Sequence, residues 1–125
     1  MPALNFKKQF APKVESGEKR QSIRAKRRDG RNPRPGQMLY HYTGMRTKGC
    51  RKLREGQCLS VQEIILDWRL GIYIDGIWLG EIERNEFAKA DGFKGFTAWQ
   101  DMRDFFARVH GLSETEQFHG LLIKW

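Results

Sequence analysis

The run Ile72-Tyr73-Ile74-Asp75-Gly76-Ile77-Trp78-Leu79 decides the architecture. Two β-forming segments flank Asp-Gly, and a two-residue type I′ turn needs positive φ at both central positions, which Asp and Gly tolerate best. The run therefore predicts a tight antiparallel hairpin. Just upstream, a strand-rich stretch extends from about Gln57 to Leu66. Further upstream, Met38 to Thr43 alternates as a strand, with Tyr40 and Tyr42 on one face and Leu39 and His41 on the other. Downstream, Glu83 to Ala90 reads as a short helix. A longer helix starts at Thr97, whose hydroxyl is placed to cap while Gln100 reaches back. Its buried stripe is Ala98, Trp99, Met102, Phe105, Phe106 and Val109, and Gly111 is its stop. Phe118 to Trp125 returns as a final strand. Near the start, Phe6, Phe10 and Val14 recur every four residues, predicting a helix from about Gln9 to Gly17, with 19–24 extended after it. Strands outnumber helices and connections are short. The expected fold class is α+β: a small, mainly antiparallel β-barrel with two or three helices packed outside it.

The 125 residues fit one domain, spanning 1–125. Hydrophobic residues make up 39% of the chain, enough for a core, which argues against wholesale disorder despite 30% charged residues. No run approaches the roughly 18 apolar residues of a membrane span, and Met1-Pro2-Ala3-Leu4 does not open a secretory signal. A cytoplasmic location without membrane contact is the expectation. Cys50 and Cys58 are too few for a disulfide scaffold or a four-cysteine zinc knuckle, so no metal and no cofactor are expected. A monomer is assumed. Trp78, Trp99 and Trp125 read as core residues, and Trp68, between Asp67 and Arg69, as a rim residue.

The net charge of +8 is unevenly spread. Residues 1–54 hold 16 of the 23 cations and only three acids, a balance of +13; residues 55–125 hold 7 cations and 12 acids, a balance of −5. Such a split suits a polyanion-binding face, because each neutralised phosphate releases condensed counterions. The densest run contains Lys26, Arg27, Arg28, Arg31 and Arg34, on a Gly- and Pro-containing loop at about 25–36, and these five are candidate phosphate ligands. A second cluster, Arg46, Lys48, Arg51, Lys52 and Arg54, follows Tyr40 and Tyr42, and its Arg46, Lys48 and Arg51 are candidate ligand-binding residues. Tyrosines beside cations suit base stacking with backbone contacts. His41 with Arg46 or Lys48 is a candidate for phosphodiester cleavage. An acidic protein partner on the basic face is the alternative from another class.

Three tracts also resemble a known family: Gly17-Glu18-Lys19-Arg20-Gln21-Ser22-Ile23-Arg24, then Pro35-Gly36-Gln37-Met38-Leu39, then Ala88-Lys89-Ala90-Asp91-Gly92-Phe93. In order and spacing they are similar to the ASCH domain of the PUA-like superfamily, and the tract from Leu39 to Arg51 is like a branch common in bacteria and their phages. The resemblance implies a small β-barrel with a cleft and a role on RNA, single-stranded or looped, or on a modified nucleoside. One branch hydrolyses the acetyl amide of N4-acetylcytidine with Lys, Thr and Glu. By that likeness the catalytic positions here are Lys19, Ser22 and Asp91, with Arg24 as a ligand-binding residue beside Tyr40, Tyr42, Arg46, Lys48 and Arg51. Ser22 keeps the hydroxyl without the methyl of Thr, and Asp91 is one methylene shorter than Glu. The expected function is RNA or nucleoside binding, the alternative a small hydrolase of the amidohydrolase type or a weak ribonuclease. In a regular strand Ser22 and Arg24 share a face and Lys19 faces away, so convergence requires either that Lys19 lies in the turn before the strand or that a bulge intervenes.

Overall fold

The computed structural model describes residues 2–113 and 115–125. The hairpin forms as the sequence predicts. β6 (Gly71–Ile74) pairs antiparallel with β7 (Ile77–Trp78), Tyr73 opposite Trp78 and Ile74 opposite Ile77. Asp75 and Gly76 take φ of 46° and 87°, both positive as a type I′ turn demands. Its tip leaves the core, however. Trp78 and Ile77 are exposed and the Tyr73 ring lies tilted against Trp78 at 4.9 Å, so Trp78 is not the core residue expected. The cause is that β7 is a two-residue strand at the edge of its sheet.

The remaining strands are β1 (Ala3–Phe6), β2 (Gln21–Arg24), β3 (Met38–Thr43), β4 (Arg51–Gln57), β5 (Ser60–Asp67) and β8 (Gln117–Lys124). They make two sheets, β1-β3-β4 and β2-β8-β5-β6-β7, all antiparallel except for the β1–β3 pair. No closed barrel forms among the described residues; the expected cylinder is open. The two sheets are stitched at one corner, where the chain passes from β4 to β5. There Cys58 N donates to Gln37 O at 2.7 Å and Leu59 N to Lys124 O at 2.8 Å. The strand-rich stretch expected from about Gln57 to Leu66 is β5, starting at Ser60, and β4 precedes it.

Three helices complete an α+β domain: α1 (Ala11–Ser16), α2 (Glu81–Ala90) and α3 (Ala98–His110). α1 starts later than expected because Phe6 belongs to β1 and Pro12 confines the helix to a short stretch. Thr97 precedes α3, but its hydroxyl bonds Asp101 Oδ2 at 3.2 Å and caps no backbone amide. Asn85 takes that role: its Oδ1 accepts from Trp99 N and its Nδ2 donates to Gly95 O. Ala98, Trp99, Met102 and Phe106 of α3 are buried as expected, whereas Val109 is exposed at the far end of the stripe. Trp99 lies in the core and Trp125 packs against it, half-buried; Trp68 lies under the Arg103 guanidinium at 4.2 Å.

Face parity follows from register. Leu122 and Ile23 are opposite each other, as are Leu121 and Arg24, and Ile123 and Ser22. Side chains of alternate parity on β2 and β8 thus point to opposite faces. Gly120 of β8 has no room for a side chain. A Cβ there would lie 2.6 Å from the Arg24 carbonyl oxygen and 2.6 Å from the Phe118 ring. Gly120→Ala must displace backbone, so it should cost about 1–3 kcal/mol, the usual penalty for overpacking, and loosen β2 at Arg24. Urea unfolding tests this; an unchanged midpoint would contradict it.

Candidate functional site

β2 ends at one side of a cleft of about 190 Å³. Phe6 from β1, Phe10 at the entry to α1, and Phe105, Phe106 and Val109 from α3 supply apolar walls. Polar groups enter from Lys19, Ser22, Arg24 and Asp91, with Asn5, Lys7 and His110 also lining the space. Four residues separated by up to 72 positions are thus gathered in one hollow. Lys19 lies two residues before β2, where its main-chain N–H donates to Lys13 O at 2.9 Å, so strand alternation does not constrain it.

Lys19 and Asp91 are both buried, with Lys19 Nζ 3.2 Å from Asp91 Oδ1. The same ammonium donates to the Asp91 main-chain oxygen, and Gln21 Nε2 donates to Asp91 Oδ1 at 3.5 Å. Loss of water around the pair pushes the Lys19 amine below its ordinary pKa and the Asp91 carboxyl above its own. Their mutual attraction opposes both shifts, and burial outweighs it. Shifts of this kind in a cleft mark groups suited to chemistry or binding. Lys19 Nζ also lies 5.1 Å from the Phe10 ring centroid.

Arg24 is half-buried, and its Nε donates to Ser22 Oγ at 2.7 Å. Its guanidinium stands 4.7 Å from the Phe6 ring centroid. Burial lowers its pKa to about 10, leaving it charged at neutral pH. Ser22 Oγ is an acceptor in this bond, so its own proton remains available to a base.

The other candidates lie elsewhere. Tyr40 and Tyr42 are half-buried on the outer face of β3, where Lys52 Nζ sits 5.3 Å from the Tyr40 ring and pairs with Glu55 at 2.7 Å. Arg46 and Lys48 are exposed on the β3–β4 loop, and Arg51 pairs with Glu15; none of these five lines the cleft. Within the 25–36 loop, Lys26 pairs with Glu63 at 2.7 Å, and Arg28, Arg31 and Arg34 are exposed. Arg27 alone of that group reaches a hollow next to the cleft. His41 is fully buried, its ring 4.3 Å from that of Trp125 and 5.4 Å from that of Phe6. A ring walled off in this way cannot meet a phosphodiester, so the cleavage role for His41 falls. It points inward with Leu39 and Thr43 because β3 alternates.

Sequence reasoning missed Gln21, Asn5 and the contribution of α3. The usable signal was the last turn of the apolar stripe, Phe105-Phe106 to Val109, which runs past the core. Phe10, Phe93 and Phe105 form a mutually edge-on trio at 5.5–5.6 Å, which anchors that end of α3 beside the Asp91 turn. Among the described residues no helix is long and apolar enough to cross a membrane. Nor do those residues contain a group of three or more His, Cys, Asp or Glu fit to hold a metal ion. Comparison with protein-family models, with curated proteins and with solved structures gives no match.

Proposed function

We propose that the cleft seats a single nucleobase, presented by single-stranded or looped RNA or by a modified nucleoside, in a domain of the ASCH type of the PUA-like superfamily. The observation that carries this reading is the meeting of Lys19, Ser22, Arg24 and Asp91 against an aromatic wall. Sites for drug-sized ligands occupy roughly 300–1,000 Å³, so this smaller space suits one ring system. Aromatic walls match the faces of a base, and a few convergent polar groups read its edge. The order of the three family-like tracts supports the same reading, since two of them deliver Lys19, Ser22, Arg24 and Asp91. The cationic first half of the chain suits a polyanion.

Titration calorimetry with the four ribonucleosides and a single-stranded oligoribonucleotide tests it. At least one nucleoside should bind, the oligonucleotide should bind more tightly with a steep salt dependence, and Arg24→Gln should weaken both about tenfold. Arg69→Gln, away from the cleft, should change neither. Absence of binding, or binding indifferent to Arg24, would overturn the reading.

A second reading, amide hydrolysis, is favoured by one specific observation: Ser22 Oγ accepts from Arg24 while the buried Lys19 amine is biased toward its neutral form. A neutral amine can take the serine proton as the oxygen adds to the acetyl carbonyl, with Arg24 holding the oxyanion. The ammonium then gives that proton to the leaving N4 amine as the C–N bond breaks, and water hydrolyses the acetyl-serine to acetate. Incubation with N4-acetylcytidine should then release acetate, with Ser22→Ala and Lys19→Ala both inactive. Turnover surviving either change would exclude this mechanism. Labelled RNA in the same assay tests for cleavage.

A further inference from the structure

A second hollow, of about 140 Å³, adjoins the cleft and shares two residues with it, Arg24 and Ala25. Its remaining polar lining is Arg27 and Asn32. We infer that this hollow seats one phosphate group, so that the cleft's ligand is a nucleotide unit bound by base and phosphate together. The inference rests on the nucleobase reading and narrows its substrate class from nucleoside to nucleotide.

Charge and hydrogen-bonding capacity carry the argument. Arg24 is half-buried and has no carboxylate within ion-pair distance among the described residues; its one hydrogen bond, through Nε, goes to Ser22. A partly desolvated cation costs free energy until an anion meets it. Using Nε on Ser22 leaves both terminal nitrogens of the guanidinium uncommitted, and that planar pair matches two phosphate oxygens. Arg27 adds a second positive charge. One of its terminal nitrogens donates to Ala3 O at 3.1 Å, which holds the guanidinium against β1 beside the hollow. Asn32 Oδ1 accepts from Arg27 N at 2.7 Å, so its amide nitrogen is left as a donor and the loop is closed on itself. Arg24, Arg27 and Asn32 together line this space, and no acidic residue lines it among the described residues. Arg28, Arg31 and Arg34 do not line it, which separates Arg27 from the general charge of the loop. Because Arg24 and Ala25 line both hollows, the phosphate belongs next to the base that occupies the cleft.

Two measurements test this. Inorganic phosphate is titrated while backbone amide NMR shifts are followed, and the four ribonucleosides are compared with their 5′- and 3′-monophosphates by calorimetry. Phosphate should shift the amides of Ala25, Arg27 and Asn32 first. One monophosphate series should bind at least tenfold more tightly than its nucleoside, and Arg27→Ala should remove most of that preference while leaving nucleoside affinity within about twofold. Equal affinity for nucleoside and monophosphate, with no phosphate-induced shift at these amides, would overturn the phosphate seat and leave the nucleobase reading standing. Arg27-dependent phosphate shifts without any nucleoside binding would uphold the seat and overturn the nucleobase reading.

Discussion

Asp91→Ala is expected to lower the unfolding free energy at pH 7 by about 3–5 kcal/mol, the loss typical when one member of a buried ion pair is removed. Lys19 Nζ lies 3.2 Å from the Asp91 carboxylate, and both side chains are almost wholly shielded from water. Without the carboxylate, Lys19 keeps, among the described residues, only the main-chain oxygen at position 91 as an acceptor. It must then stay charged without a counterion or give up its proton. Burial already depresses the Lys19 pKa, and loss of Asp91 depresses it further. A depressed folded-state value means that the unfolded chain binds more protons. Stability of the variant should therefore rise with pH towards the ordinary lysine value of 10.5 and fall on acidification. Lys19→Met combined with Asp91→Leu should recover much of the loss, because the cost lies in the stranded charge more than in the missing bond. Urea titrations at pH 6 and pH 9 check the sign. A loss below about 1 kcal/mol at both would mean that the pair does not tie the α2–α3 turn to the residues leading into β2.

That tie also explains how much of the molecule was legible beforehand. The hairpin at Asp75-Gly76, β3, α3 and β8 were readable because their determinants are local: turn chemistry at two residues, alternation over six, a stripe over thirteen. β1 and β4 were not. Phe6 continues a four-residue spacing with Phe10 and Val14 that mimics a helix, and only pairing with β3, 37 residues on, makes Ala3–Phe6 a strand. β4 carries five charged or polar residues among its seven, since its outer face is solvated, and hydrophobic pattern alone does not reveal it. At the site, motif order pointed to Lys19, Ser22, Arg24 and Asp91, and the fold gathers them. The tyrosines of β3 looked equally suitable in sequence. Alternation sends them to the outer face, and which face is outer depends on the second sheet. The phosphate candidates show the same division: composition marks the loop at 25–36, but only its closure by Asn32 distinguishes Arg27 from its neighbours.

His41 gives the second large effect, and its readout is acid sensitivity. The ring is fully buried among Phe6, Trp125 and the β3 core, and neither nitrogen has a hydrogen-bond partner among the described residues. Burial, with smaller contributions from the Arg24 and Arg54 charges, lowers its pKa to about 4 from 6.5. A depressed folded value favours the neutral ring. The stability this provides is complete above about 6.5 and is lost as pH falls through about 4. A gap of that size corresponds to an acid-induced loss on the order of 3 kcal/mol. His41→Phe keeps an aromatic ring against Trp125 and removes both unpaired nitrogens, so it should match or exceed the parent's stability at pH 7. Between pH 6.5 and pH 4 its stability should fall less steeply, by that same margin. The comparison isolates His41, because carboxylates titrate alike in both proteins and the raised Asp91 pKa acts in the opposite direction, favouring the fold as it protonates. Chemical denaturation at half-unit pH steps gives the two curves. Parallel curves would mean that the ring is protonated without leaving the core, and the account of His41 as a neutral packing residue would fail.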